Sequence, residues 1–392
     1  MAKNNPSSNI SYFKNLDGLR FFCFLSVFFF HSFQTDLLSI KSSPVYFFLK
    51  TTVFGNGFLG VNFFFVLSGF LITYLLISEK KITETIQIGK FWIRRILRIW
   101  PLYFACVFYG FVIFPYNKML AGGVPVESAN IWYYLTFINN FDYIHKGLPD
   151  SPGLGVLWSV AIEEQFYLAW PVILFFFSVK KFWIPLTLIL LTSLLFRALN
   201  DVPILHEMHT LSCIGDMALG GLGAWLILHS ASFKKTVETM PRVVIYIIYL
   251  AFVAVYLFRD ELLLQTYPVR IFERILISAI MLFIILEQCF AINSFYKMTN
   301  FKIPSRLGLV TYGLYCLHFI VISAVAGVTK LTGLNTKVWQ VILLEPAISL
   351  TVTVVISLIS YRYFESPFLR LKEKFAFTAT RKQAASETVE PS

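Results

Sequence analysis

Residues 58–78 read FLGVNFFFVLSGFLITYLLIS, a run of 21 residues without a charged side chain. A helix needs about 20 apolar residues to cross the hydrocarbon of a bilayer, so this stretch predicts a membrane-spanning helix. The rest of the chain has the same character, since 57% of the 392 residues are hydrophobic and only 14% are charged. So little polar surface excludes a set of soluble globular domains.

Nine further stretches have the length and polarity of a membrane span. The ten predicted spans lie near 16–35, 58–78, 100–115, 158–178, 182–199, 210–230, 242–258, 274–291, 308–328 and 340–361. We therefore expect an all-α, polytopic integral membrane protein with about ten transmembrane helices. Residues 1–15 form an N-terminal segment, 16–365 the transmembrane domain, and 366–392 a tail whose end has no apolar period and is predicted to be disordered.

The distribution of Lys and Arg predicts the orientation of the chain. Under the ten-span arrangement, one side carries 22 of these cations and the other carries nine. Cytoplasmic loops carry the excess of positive charge, so both termini are predicted to face the cytoplasm from the inner (plasma) membrane. The net charge of +11 is then a consequence of topology and of contact with membrane lipids, and no nucleic-acid partner is expected.

The first span combines an arginine with a histidine at membrane depth. Arg20 and His31 are eleven positions apart, which returns to nearly the same helix face after a rise of about 16 Å. An ionisable side chain in a span is costly and marks a candidate functional site. Arg20 is otherwise a cationic anchor that reaches the headgroups, and His31 a histidine bonded to its own helix. Their common face favours a site, with His31 and Arg20 as catalytic candidates.

Basic residues cluster between the second and third predicted spans. Arg94 and Arg98 are four positions apart and Arg95 lies beside them, so at least two guanidinium groups project together. Such a pair suits the bidentate capture of phosphate, as in a multiply phosphorylated donor such as coenzyme A. The alternative is a basic flank attracted to anionic lipid.

The fourth span carries a carboxylate on an aromatic helix face. Glu163 shares this face with Phe166, Tyr167 and Trp170 at i+3, i+4 and i+7. A desolvated glutamate can serve as an acid or a base, and Glu163 is the third catalytic candidate. Glu163 and its neighbour Glu164 are otherwise N-terminal charges favoured by the helix dipole.

Further polar residues complete a candidate substrate pocket of Asn62, Ser68, Tyr167 and His318. Small polar residues in a span more often join helices, and Ser68 and its neighbour Gly69 fit that role. His318 is either part of the site or a bonded core histidine. Another set of polar residues, near the ends of spans, is expected at the membrane interface: Arg197, Asp216, His229, Glu287 and Glu345.

Taken together, these segments resemble the membrane acyltransferase-3 family over nearly the whole chain. The resemblance rests on six motifs, which are Arg20-x10-His31, residues 64–70 (FFVLSGF), Arg95-x2-Arg98, Ser159-x3-Glu163-x-Gln165-Phe166-Tyr167, Tyr315-x2-His318 and Phe364-Glu365-x-Pro367. It implies an acyl-CoA co-substrate, often acetyl-CoA, and an acceptor hydroxyl on a glycan or another envelope or exported molecule. It also implies that His31, Arg20, Arg95 and Arg98 are required for activity.

The mechanism expected from these residues begins with coenzyme phosphates on Arg94, Arg95 and Arg98. His31 would act as a general base on the acceptor hydroxyl or be acylated itself, and Glu163 would orient it. No metal and no permanently bound cofactor is expected. The alternative function is a secondary transporter or flippase, which is disfavoured because such folds have two related halves and the second half has no counterpart of Arg20, His31 or Glu163.

Overall fold

The computed structural model describes residues 13–375, and each of the ten predicted spans is a helix in it. They are α1 (Asn15–His31), α2 (Leu59–Thr83), α3 (Ile88–Phe108), α4 (Leu157–Phe176), α5 (Trp183–Leu199), α6 (Thr210–His229), α7 (Arg242–Leu263), α8 (Tyr267–Phe290), α9 (Thr311–Leu331) and α10 (Glu345–Ile359). Within residues 13–375, eight helices are long and apolar enough to cross a membrane. The chain is an all-α, multi-pass membrane protein, as predicted.

Two of the ten predicted spans, α1 and α8, are not among these eight helices. Helix α1 has only 17 residues, and α8 carries charged side chains at both of its ends. Short helices fill the connections: Leu38–Lys41, Pro44–Phe47, Phe48–Val53, Tyr109–Ile113, Phe114–Leu120, Ile131–Leu135, Asn139–Lys146, Pro152–Gly155, Val179–Lys181, Pro203–Met208, Ala231–Glu238, Met298–Asn300, Lys302–Gly308 and Gln340–Leu344. The described residues 13–375 contain no strand.

The last span continues beyond the membrane domain predicted from the sequence. After α10, the chain passes through a widened π-helical segment, Ser360–Glu365, into helix α11 (Ser366–Glu373). Helix α11 packs against α3, which carries the arginines. Segments of π-helix change the register of a helix and occur often at functional sites. The disorder predicted for the end of the tail concerns residues 376–392, which lie outside the described residues.

Helix α2 lies at the centre of the bundle and contacts α1, α4, α6 and α8. Its closest approach is to α6, where a Cβ atom at Gly69 would clash with the carbonyl oxygen of Met217 and one at Gly220 with that of Val66. Small residues let two helix backbones come this close in a membrane, where packing and hydrogen bonds drive helix association. The packing role expected of Gly69 is confirmed.

Candidate active site

A cavity of about 450 Å³ lies among α1, α2, α3, α4, α9 and α11. It extends from the beginning of α1 and the end of α11 to the hydroxyl groups of Ser159 and Tyr315. Its polar lining includes Asp17, Arg20, Ser68, Arg95, Arg98, Ser159, Glu163, Tyr167, Tyr315, Glu365 and Lys372. Six of the site residues predicted from the sequence therefore meet in one cavity, although they come from four different helices.

Two arginines of α3 bring positive charge into this cavity without a carboxylate partner. Arg95 lies over the rings of Phe91 and Tyr167, with its guanidinium carbon 5.5 Å from each ring centre. Within residues 13–375, neither Arg95 nor Arg98 forms an ion pair, and the Nε of Arg95 is buried without a hydrogen-bond partner. The side chain of Arg95 is half-buried and that of Arg98 is exposed, so an anion that enters the cavity can pair with both guanidinium groups. The arrangement therefore suits an anionic ligand.

Arg20 and Arg94 differ from these two arginines because a carboxylate pairs with each of them. Nη1 of Arg20 lies 2.6 Å from Oδ1 of Asp17, and Nη2 of Arg94 lies 3.4 Å from Oε2 of Glu79. Arg20 still lines the cavity, whereas Arg94 is outside the described lining and also donates to the carbonyl oxygen of Phe375. The expected trio of phosphate-binding arginines is therefore reduced to Arg95 and Arg98.

Glu163 is held inside the cavity by side chains from two helices. The hydroxyl of Ser68 donates to Oε1 of Glu163 at 2.6 Å and lies 2.8 Å from the hydroxyl of Tyr167. Ser68 thus lines the cavity and also joins helices α2 and α4, so both roles considered for it fit its position. The neighbouring Glu164 is buried and accepts a hydrogen bond of 2.8 Å from Nε1 of Trp100, so it is not a solvated charge at a helix end.

The partner of His31 is His318 of α9, and not Glu163 as the sequence suggested. Nδ1 of His318 lies 2.6 Å from the carbonyl oxygen of Tyr315, which can only accept, so this nitrogen carries the proton. Nε2 of neutral His318 then accepts from Nδ1 of His31, 3.0 Å away. Neutral His31 consequently presents Nε2 as a proton acceptor. The hydrogen bonds alone thus prepare His31 as a base.

Two other side chains form hydrogen bonds to the backbone around His31. Nζ of Lys50 donates to the carbonyl oxygens of Phe30 and Ser32, each at 2.9 Å, and Nε2 of Gln34 donates to that of His31 at 3.1 Å. These carbonyls end helix α1 and lack partners within the helix. A cation is also favourable at the negative end of a helix dipole. Burial lowers the pKa of Lys50.

Tyr315 connects the cavity with the histidine pair. Its hydroxyl lines the cavity and lies 2.6 Å from Oγ of Ser159, while its carbonyl oxygen holds His318. His31 and His318 lie beyond this hydrogen bond, outside the described lining of the cavity. The site therefore has two levels, a cavity with unpaired cations and a histidine pair, with Tyr315 and Ser159 between them.

A second, smaller cavity lies on the far side of the histidine pair. Its volume is about 300 Å³, and its polar lining residues are Gln34, Thr35, Asp36, Lys330, Asn335 and Thr336. It is built from the chain that follows α1 and from the end of α9, the two helices that carry His31 and His318. A hydrogen bond from Lys330 lowers the pKa of the Asp36 carboxyl.

Several residues around the cavity and the histidine pair were not predicted from the sequence. Four predicted site residues lie outside the described lining of the cavity: His31, Asn62, Arg94 and His318. Asn62 is buried on α2 but is not among the described residues that line the cavity. Lys50, Glu365 and Lys372 were not singled out as site residues, although Glu365 belongs to a motif of the C-terminal segment. Lys372 has no local signal, because it is one of several cations in a basic tail. In residues 13–375, no group of three or more His, Cys, Asp or Glu side chains could hold a metal ion.

A second set of charged residues is buried away from the cavity, between α5, α6, α7 and α8. Arg197 pairs with Glu273 at 2.9 Å, Arg274 with Asp216 at 2.7 Å, and Arg259 with Glu273 at 2.6 Å. Arg259 also pairs with Glu207, whose other cationic neighbour is Arg274. Arg197 and Asp216, which were expected at the membrane interface, are buried inside the bundle at 1% and 0% exposure. We call these six residues the paired network.

Two other residues expected at the interface are buried as well. Glu287 accepts a hydrogen bond of 3.0 Å from the hydroxyl of Tyr249, and Glu345 accepts one of 2.5 Å from Thr329. Each carboxylate accepts a hydrogen bond from a neighbouring helix, which the position along the sequence did not indicate. His229, in contrast, is exposed and stacks on Trp225.

Comparison with known proteins assigns this arrangement to a family. A family model described as an acyltransferase domain matches residues 13–362. The peptidoglycan O-acetyltransferase OatA of Listeria monocytogenes is 29% identical over 341 residues, which cover 80% of this chain and 51% of that protein. The O-acetyltransferase OatA of Staphylococcus aureus (strain NCTC 8325) is 35% identical over 172 residues, 42% of this chain and 25% of that protein.

The chain spans about half the length of the Listeria relative, and no solved structure matches it. The family match, in contrast, covers almost all of the described residues, including both levels of the site. The motifs that carried the resemblance in the sequence lie on the helices that form the cavity and the histidine pair. The chain belongs to the acyltransferase-3 family.

Proposed function

We propose that this protein is a membrane O-acetyltransferase that moves an acetyl group from acetyl-CoA to a hydroxyl of an envelope glycan such as peptidoglycan. The observation that carries the proposal is the order of groups along the bundle: unpaired arginines in a cavity, a Ser159–Tyr315 hydrogen bond, and a histidine prepared to accept a proton. We infer the acetyl group from the names of the Listeria and Staphylococcus relatives. The peptidoglycan acceptor is inferred from the name of the Listeria relative.

The donor phosphates are the ligands for Arg95 and Arg98. A guanidinium group binds a phosphate through two parallel hydrogen bonds, which are stronger than neutral ones. A bound phosphate would also balance the charges that residues 13–375 leave without a carboxylate partner. The pantetheine arm then extends past Glu163 and Ser159 towards His31, and the hydrogen bond between Ser159 and Tyr315 opens to let it pass.

His31 carries the chemistry. Its Nε2 accepts the proton of the acceptor hydroxyl while the oxygen attacks the thioester carbonyl carbon. The new O–C bond forms, the C–S bond breaks, and the leaving thiolate of coenzyme A takes the proton from His31. Acylation of His31 followed by transfer to the hydroxyl is the other route, and mass spectrometry of protein quenched without an acceptor distinguishes the two.

The smaller cavity lies where the acceptor would approach. Amide, hydroxyl and charged side chains line it, and these groups bind the hydroxyls of a sugar. Its residue Gln34 holds the carbonyl oxygen of His31. In this proposal, donor and acceptor reach His31 from opposite ends of the bundle.

The buried charges of the second half favour an enzyme over a transporter or flippase. A transporter with two related halves would be expected to present unpaired charges to a path in each half. In the described residues, the charges of the paired network neutralise each other and line neither of the two cavities.

The test uses the purified full chain in lipid nanodiscs with acetyl-CoA labelled in the acetyl group and a soluble peptidoglycan fragment. We expect ester-linked label on the glycan with the wild-type protein and none with His31→Gln. If vesicles that contain the protein move the glycan across the membrane while no label is transferred, the proposed function is wrong and a transporter is indicated.

The orientation is part of the proposal, because the donor is a cytosolic molecule. Both termini are placed in the cytoplasm, so that the end of the cavity near Asp17 and Lys372 opens to the cytosol. A C-terminal fusion to alkaline phosphatase is expected to be inactive in cells and a fusion to a cytosolic reporter active. The opposite result would reverse the roles of the two cavities.

A further inference from the structure

A third cation without a partner lines the cavity of the arginines. Lys372 of α11 faces the same space as Arg95 and Arg98, and α11 packs against their helix α3. Within residues 13–375, the amino group of Lys372 forms no ion pair and no hydrogen bond. Glu365 lies in the π-helical segment that precedes α11. Its carboxylate accepts a hydrogen bond of 3.0 Å from Ser360 and, within the described residues, none from Lys372.

The three cations lie at different positions along their helices. Lys372 is one residue from the end of α11 and lines the cavity together with Asp17 of α1. Arg95 and Arg98 are one turn apart on α3, about 10 and 15 Å from its beginning at a rise of about 1.5 Å per residue. His31 ends α1, about 21 Å along the helix from Asp17 at a rise of about 1.5 Å per residue.

Coenzyme A carries its charged groups in a matching order. The 3′-phosphate on the adenosine ribose is at one end, the diphosphate comes next, and the uncharged pantetheine arm ends in the thioester. With the thioester at His31 and the diphosphate at the two arginines, the 3′-phosphate is at the mouth of the cavity. The cation at that depth without a described partner is Lys372.

We propose that Lys372 binds the 3′-phosphate of the coenzyme A donor, so that helix α11 forms a wall of the nucleotide end of the site. The inference rests on the proposed function, since it takes coenzyme A as the donor. It assigns helix α11 of the basic C-terminal segment to donor recognition.

The test compares acetyl-CoA with acetyl-3′-dephospho-CoA, a donor that lacks only the 3′-phosphate. We expect Lys372→Met to raise the KM for acetyl-CoA about tenfold, a change of about 1.4 kcal/mol, with kcat nearly unchanged. The KM for the dephospho donor should be the same in the variant and the wild type, because the contact is absent from both. Lys372→Arg should restore most of the discrimination.

The matched control is Arg370→Met, which removes an exposed cation of the same helix that is not part of the described cavity lining. It should leave both KM values unchanged. The inference is overturned if Lys372→Met changes the two KM values by the same factor or changes neither. It is also overturned if the effect of Lys372→Met follows the content of anionic lipid in the nanodisc and not the donor.

Binding of nucleotide fragments separates this inference from the proposed function. Calorimetry should find that adenosine 3′,5′-bisphosphate binds the wild type about tenfold more tightly than AMP, and that Lys372→Met removes the difference. If this difference is found but no acetyl group is transferred, the nucleotide subsite stands and the proposed reaction is wrong. If transfer is found but the bisphosphate and AMP bind equally well to the wild type, Lys372 is not the 3′-phosphate ligand.

Discussion

The bundle contains two groups of charged side chains, one buried between helices and one lining a cavity, and they differ in how their charges are balanced. In the paired network, three arginines meet three carboxylates across α5 to α8 and the Pro203–Met208 helix. In the cavity, Arg95, Arg98 and Lys372 project into about 450 Å³ of space without a carboxylate partner among the described residues. Both groups would be selected by a search for ionisable residues in spans.

The difference separates a structural role from a binding role. A buried cation needs a partner, because removal from water costs several kcal/mol even after the protein relaxes. The paired network supplies that partner from the protein, so its charges stabilise the packing of four helices. The cavity leaves the partner to a ligand. An ionisable residue within a span is therefore a candidate functional residue, and the presence or absence of an ion pair indicates whether its role is structural or ligand-binding.

The largest effect is expected from breaking the paired network. Asp216→Ala leaves Arg274 buried with only Glu207 near it, at 3.9 Å, and should cost about 3–5 kcal/mol. The measurement is the yield of folded protein and its melting temperature in detergent. The double variant Asp216→Leu with Arg274→Met should recover part of the loss, because no uncompensated charge remains. If the Asp216→Ala protein were stable but inactive, the paired network would act in the reaction and would not have the structural role inferred here.

The next effect concerns His31. His31→Gln keeps a hydrogen-bonding side chain but cannot accept a proton, so kcat should fall by about 10³-fold. Its melting temperature should stay close to that of the wild type, in contrast to Asp216→Ala. The exposed His229→Gln is the matched control and should retain activity. Near-normal turnover of His31→Gln with an unaltered pH profile would make His31 a structural residue.

A smaller effect is expected from the unpaired arginines. Arg98→Met should raise the KM for acetyl-CoA about thirtyfold, since a hydrogen bond to a charged group contributes roughly 1.5–3 kcal/mol. The melting temperature without the donor should not fall, because the variant removes a charge on the cavity wall that is exposed and has no ion-pair partner among the described residues. Loss of stability without the donor would show that Arg98 has a structural partner and belongs with the paired network.

The smallest effect is expected from Lys50, which positions His31 through the backbone. Lys50→Met leaves the carbonyls of Phe30 and Ser32 without their donor and should lower kcat about tenfold, with the donor KM unchanged. Lys50→Arg can still donate to both carbonyls and should restore most of the activity. Equal losses in the Met and Arg variants, or a higher donor KM, would argue against a positioning role.

Much of the site was visible in the sequence because helix periodicity is regular. The 3.6-residue repeat groups Glu163 with Tyr167, and both line the cavity, whereas it groups Arg98 with Arg94, of which only Arg98 lines the cavity. The same repeat could not separate Arg94 from its neighbours. Its partner, Glu79, belongs to the preceding helix, and a contact between helices has no local signal.

Pairing between distant helices accounts for the other differences. His31 and His318 are 287 positions apart, and the hydrogen bond between them replaces the expected contact of His31 with Glu163. Arg197 and Asp216 looked interfacial because they lie near the ends of their spans. Their partners Glu273 and Arg274 belong to α8, a helix that the sequence placed in the membrane without indicating which neighbours it meets.

The sequence by itself determined that this is an all-α membrane protein, where its ten helices lie, and which residues are too polar to face lipid, because segment length and hydropathy are local properties of the chain. Only the tertiary structure decided which of those polar residues neutralise one another and which surround a cavity. That choice depends on distances of a few ångströms between helices, set by close contacts such as Gly69 against α6 and by the widened segment that brings Lys372 to the arginines.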